Sequence, residues 1–141
     1  GTSGSLFTVD AAKGVIPVTG RVYITRQDIR NLQLAKGASL ATARMLLKAA
    51  AVDPSEIENV VIAGAFGEHL DLGNFKNLRF LPDFPNAIYS FRGNTSLLSS
   101  AHACVDRDFI RRASSLRDRT RVMELSGRID FQDYFMDSLN F

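Results

Sequence analysis

Apolar residues along this chain come in short runs, and their spacing changes from every second residue to every third or fourth at definable points. Between Leu6 and Ile24 short strand-like runs are broken at Lys13-Gly14 and Thr19-Gly20, which predicts a hairpin or an irregular sheet edge. Thr25-Arg26-Gln27-Asp28 then has the form of a capping box, with Asp28 in place of the usual Glu or Gln. The Ala- and Leu-rich stretch behind it predicts one long helix to about Ala51. Asp53-Pro54-Ser55-Glu56 is a second start signal, opening a short turn. The continuous run Val60-Val61-Ile62 reads as a buried strand of a parallel sheet. A short helix is expected over Leu72 to Phe80, closed by Pro82 and a Pro85-Asn86 turn, and a second strand over Ala87 to Phe91. Thr95 to about Leu116 is helical in pattern, with a break near Asp106. Thr120 to Leu125 predicts a third strand, and Phe131, Tyr134, Phe135 and Leu139 mark one face of a final helix. Strands alternating with helices make the fold class α/β.

Two features of this pattern carry candidate chemistry. Directly after Val60-Val61-Ile62 come Ala63, Gly64, Ala65, Phe66 and Gly67. Glycine at the carboxyl end of a parallel strand allows close approach of backbone to a ligand, where α/β sheets usually bind one. A tight strand-to-loop turn without a ligand accounts for the same residues, and the pattern alone leaves both open. The spacing matches neither GxGxxG nor GxxxxGK[ST], so neither a dinucleotide fold nor a P-loop is supported. The second feature lies in the long helix, where Ile29, Leu32, Leu40, Ala43, Leu47 and Ala50 fall on one stripe. Lys36 sits near the centre of that stripe, whereas Arg30, Arg44 and Lys48 fall to the side where solvent is expected. A buried ammonium is costly, so Lys36 either snorkels or faces an acceptor such as a ligand. Gln33, one turn earlier, offers a second polar contact.

Composition narrows the function classes. At 141 residues the chain is long enough for one domain with a core, and 45% hydrophobic with 23% charged residues is ordinary globular composition. A net charge of +2 gives no global reason to expect nucleic acid or a membrane surface as partner. The arginines between Arg107 and Arg121 are interleaved with Asp106, Asp108 and Asp118, which reads as a solvated helix face. One cysteine, Cys104, excludes an internal disulfide and a cysteine-built cluster within the chain. His69 and His102 lack a carboxylate at metal-ligand spacing, and Ser96, Ser99 and Ser100 lack a nucleophile elbow. No apolar run has the length of a membrane span, and the expected compartment is the cytosol. Residues 1–5 have linker composition and are set apart from a domain over residues 6–141.

Taken in order, several segments resemble the carboxyl-terminal part of the ATP-dependent reductive activators of corrinoid proteins. These are Ile24-Thr25-Arg26-Gln27-Asp28-Ile29, Leu34-Ala35-Lys36-Gly37-Ala38 and Ile62-Ala63-Gly64-Ala65-Phe66-Gly67. Leu81-Pro82-Asp83, Gly93-Asn94-Thr95-Ser96-Leu97, Val122-Met123-Glu124-Leu125-Ser126 and the Phe131 helix continue the likeness. The resemblance covers about Val22 to Phe141. It implies one lobe of an actin-like, ribonuclease H-like ATPase domain with a sheet flanked by helices. In that superfamily a segment like Ala63 to Gly67 is the adenosine motif, and the helix carrying Lys36 and Gln33 faces the nucleotide base from the other side. Gly93 to Ser96 resembles the start of a hinge helix between lobes. The resemblance further implies ATP or ADP as ligand, an iron–sulfur cluster elsewhere in the parent protein, and a corrinoid protein as partner, returned from Co(II) to Co(I). Departures from the family pattern are Ala65 for a second glycine, Arg79 for the glycine before Leu-Leu-Pro, and Leu98-Ser99-Ser100 for smaller residues.

The phosphate- and metal-binding motifs of that superfamily lie in its other lobe, and nothing in this chain resembles them. The expectation is therefore a nucleotide-binding lobe that does not hydrolyse ATP by itself. Two alternatives are carried: a docking or self-association module, homodimeric in the second case, and a lobe of a radical-dehydratase activator.

Overall fold

A computed structural model of the chain describes residues 14–19, 22–64, 67, 69–125 and 127–140. The proposed linker, the start of the first strand region, and Ala65, Phe66 and Ser126 lie outside the described residues. Strands β1 (Val15–Thr19) and β2 (Val22–Thr25) form an antiparallel pair, with Ile16 opposite Ile24 and a register shift between Pro17 and Thr19. Helix α1 (Arg26–Ala50) follows without a break. Its capping box is complete: the Thr25 hydroxyl accepts from the Asp28 N–H at 3.1 Å, and the Asp28 carboxylate accepts from the Thr25 N–H at 2.9 Å. The helix ends at Ala51, which is left-handed at φ 53 and donates back to the Leu47 and Lys48 carbonyls. A 3-10 turn over Pro54–Glu56, capped by Asp53, leads to β3 (Asn59–Ala63).

Beyond β3 come α2 (Leu72–Asn77), β4 (Ile88–Arg92), α3 (Thr95–Val105), α4 (Arg107–Arg117) and α5 (Ile129–Ser138). Strands β3 and β4 are parallel, with Val60 opposite Tyr89 and Ala63 opposite Arg92. The break near Asp106 is real, and Asp106 caps α4 through its carboxylate. Among the described residues the small mixed α/β domain therefore carries two two-stranded sheets where one flanked sheet was expected. Thr120 to Leu125 is not a strand. Its backbone joins neither ladder, and Val122 is 91% exposed, so β-type residues there have no partner to pair with.

The core sits where α5 crosses α1. Gly37, Leu40, Ala41 and Met45 are buried, together with Phe75 and Phe84 from the segment between the parallel strands. This face is rotated from the expected stripe: Leu32 is 36% exposed and Ala50 is also exposed. The azimuth is set by the side from which α5 packs, and length explains why Leu32 and Ala50 are left uncovered. At 1.5 Å per residue α1 is roughly 37 Å long and α5 roughly 15 Å, so α5 covers only the middle of its partner.

Candidate functional site

Both parallel strands run into glycine at their carboxyl ends. Gly64 follows β3 with φ 105, and Gly93 follows β4 with φ 28. The Gly64 N–H donates to the Gly93 carbonyl at 2.7 Å, so the two turns are held side by side. Among the described residues a Cβ built on Gly64 meets nothing within 4 Å, so on their side this turn is open as well as left-handed. The positive φ by itself favours glycine here, so the conformation of the turn accounts for Gly64. Gly67 differs. It is buried, its N–H donates to the Gly64 carbonyl at 3.0 Å, and a Cβ there would lie 3.2 Å from the Ile62 side chain and 3.6 Å from Phe91. Gly67 thus lets the turn fold back onto the strand pair. Ala65 and Phe66, between them, lie outside the described residues. Beside Gly93, the Asn94 side chain caps α3 by accepting from the Leu97 N–H at 3.0 Å.

Lys36 is fully buried and does not snorkel. Its ammonium donates to the backbone carbonyl of Asn140, just beyond α5. Burial, with the Arg79 and Arg44 guanidinium groups behind it, lowers its pKa from the usual lysine value. Gln33 is half-buried beside Leu139. The structure therefore groups Lys36 and Gln33 around the carboxyl-terminal segment, and groups Gly64, Gly67 and Gly93 around the strand ends. Gly37 is where α1 comes close to the end of α5, and a Cβ there would approach Leu139 at 3.0 Å.

A cavity of about 330 Å³ lies between α1 and the segment around α2, with Arg44, Lys76, Arg79 and Asp83 among its walls. Arg44, expected in solvent, is half-buried and donates to the Ser138 hydroxyl at 3.4 Å. The α5 crossing encloses that side of α1.

Residues 7–141 match the family model described as the C-terminal domain of RACo, the ASKHA domain. The chain belongs to the RACo family. RACo denotes the reductive activators of corrinoid proteins, so this family match and the sequence resemblance agree. A curated relative, the corrinoid activation enzyme RamQ of Eubacterium limosum, is 38% identical over 61 residues. That match covers 43% of this chain and 10% of the relative. Within this RACo C-terminal domain, no group of three or more His, Cys, Asp or Glu side chains is arranged to hold a metal among the described residues. Among them, too, no helix is long and apolar enough to cross a membrane.

The sequence reading missed the cavity. Its cations come from two segments far apart in sequence, α1 and the stretch around α2; Arg44 was expected in solvent, and Arg79 stood out as a departure from the family pattern.

Proposed function

We propose that this domain supplies the adenosine-side wall of a nucleotide site in an ATP-dependent activator that returns a corrinoid protein from Co(II) to Co(I). The observation that carries this reading is the open, left-handed Gly64 turn at the end of a parallel strand, fixed to the neighbouring Gly93 turn. A side chain at Gly64 would fill space next to exposed backbone, which is the kind of space a ribose or phosphate group takes. Nucleotide bound there would supply the energy of its hydrolysis to an uphill reduction. This chain's part is to position one side of it. Contact between nucleotide and Lys36 or Gln33 further requires the carboxyl-terminal segment to release the Lys36 ammonium. The single cysteine, Cys104, is exposed and cannot hold an iron–sulfur cluster by itself, so the electron-carrying centre belongs to another part of the parent.

The test uses the intact parent protein. Gly64→Val should lower nucleotide affinity by about tenfold or more, read by calorimetry, whereas its fold persists with a stability loss of about 1–2 kcal/mol from the left-handed backbone. A folded Gly64→Val protein that binds nucleotide unchanged would end this reading. Docking on the corrinoid partner is the second reading. The observation favouring it is the apolar face of α3, where Leu97 is 67% and Val105 is 85% exposed.

A further inference from the structure

The cavity between α1, α2 and the turn after α2 is separate from the glycine turns. Tyr89, in its wall, is the second residue of β4, whereas Gly93 follows the last. Four residues along a strand span roughly 13 Å, so the cavity lies toward the opposite end of the parallel pair.

Its charges do not balance. Arg44, Lys76 and Arg79 face one carboxylate, Asp83. Among the described residues none of the three cations has a carboxylate within ion-pair distance. Lys76 rests over the Tyr89 ring, 4.1 Å from its centroid. Arg79 has a left-handed backbone at φ 55, a conformation L side chains seldom adopt. Behind this group, buried Lys36 feels both guanidinium groups. Leu40 and Phe75 supply an apolar floor.

We propose that this cavity binds a small organic dianion, a phosphate monoester or dicarboxylate on an apolar body. Three cations against one carboxylate leave a net charge of +2, which a dianion neutralises. Two guanidinium forks suit paired oxygen atoms, the ammonium adds a point charge, and the floor takes the apolar part. A cavity of about 330 Å³ is at the small end of ligand sites and fits a compact molecule.

Calorimetry on the intact protein provides the test, with phenyl phosphate and succinate as probes and phenol as the neutral control. At least one dianion should bind, more tightly than phenol and more weakly as salt is added. Which of the two binds decides between phosphate and carboxylate recognition. Arg79→Gly should weaken that binding by about tenfold or more, and glycine suits φ 55, so the fold is retained. Arg44→Gln should weaken it as well, and serves if Arg79→Gly does not fold. Gly64→Val should leave dianion affinity unchanged, which separates this site from the nucleotide reading. Absence of binding by both dianions at millimolar concentration overturns the proposal. So does affinity indifferent to both arginine changes, or lost in Gly64→Val.

Discussion

Gly37 offers the sharpest test of how α1 and α5 are joined. It lies near the middle of α1 with Leu139 3.0 Å, Phe135 3.4 Å and the Ser138 carbonyl 3.5 Å from where a Cβ would sit. Gly37→Ala gains about 1 kcal/mol of helix propensity. Against this, Leu139 must yield by a few tenths of an ångström, and its side chain, half-buried at the end of α5, is able to move. The net change should lie within about 1 kcal/mol of zero. Gly37→Leu places three further carbon atoms in space held by Leu139 and Phe135, an overpacking cost of about 1–3 kcal/mol. Pushing that end of α5 away also weakens the charge-assisted hydrogen bond from Lys36 to the Asn140 carbonyl, worth about 1.5–3 kcal/mol. After the propensity gain the expected loss is about 2–4 kcal/mol, a fall in melting temperature of roughly 6–15 °C. Thermal melts of both variants by circular dichroism read this directly. If Gly37→Leu melts within about 2 °C of the parent, the α1–α5 contact is not what holds this part together.

Lys36→Met removes a desolvated ammonium and leaves the Asn140 carbonyl to water, so at neutral pH the variant should melt at or above the parent temperature. Because the folded lysine binds its proton less tightly than the unfolded one, stability of the parent should rise as pH climbs toward 10.5, and this rise should be absent in Lys36→Met. Ala51→Gly should stabilise by about 1 kcal/mol in denaturant titration, since Ala51 ends α1 in the left-handed region that glycine occupies freely. The Asp28 pKa is held below 3.8 by hydrogen bonds from the Thr25 hydroxyl and backbone. Its contribution should therefore be complete above that pH, fade as pH falls through the lowered value, and be missing from the acid melts of Asp28→Ala.

What the sequence made legible was local. The Thr25–Asp28 box, the Asp53 start signal and the Asp106 break depend on residues three or fewer apart, and each stands where the pattern put it. The parallel strand at Val60 was legible in its apolar run, but the burial expected of it was not met. Val61 is 59% exposed and Val60 and Ile62 are half-buried, because β3 belongs to a two-stranded sheet whose faces are not fully covered. Partner geometry was not legible. Periodicity alone gave a stripe along all of α1, because it carries no knowledge of how short α5 is. It gave a strand at Thr120, because β-propensity is silent on whether a ladder exists to join. The placement of Lys36 on the apolar face was correct as far as it went. Its acceptor, a backbone carbonyl 104 residues away, has no sequence signature at all.

The two residue groups read from the sequence as one nucleotide site belong to different packing units: Lys36 to the α1–α5 pair, Gly64 to the β3–β4 pair. The charged cavity has walls from both units, with Arg44 on α1, Tyr89 on β4 and Lys76 on α2 between them. Arg79 and Arg44 both disfavour the charged form of Lys36. An anion that neutralises those guanidinium groups would raise the Lys36 pKa and stabilise its ammonium. By linkage, the protonation of Lys36 and the occupancy of the cavity must then influence each other equally. The lysine at the centre of an apolar stripe is thus coupled to an acceptor on one side and a cluster of like charges on the other. Its titration reports on the joint between the two units, whichever ligand the glycine turns receive.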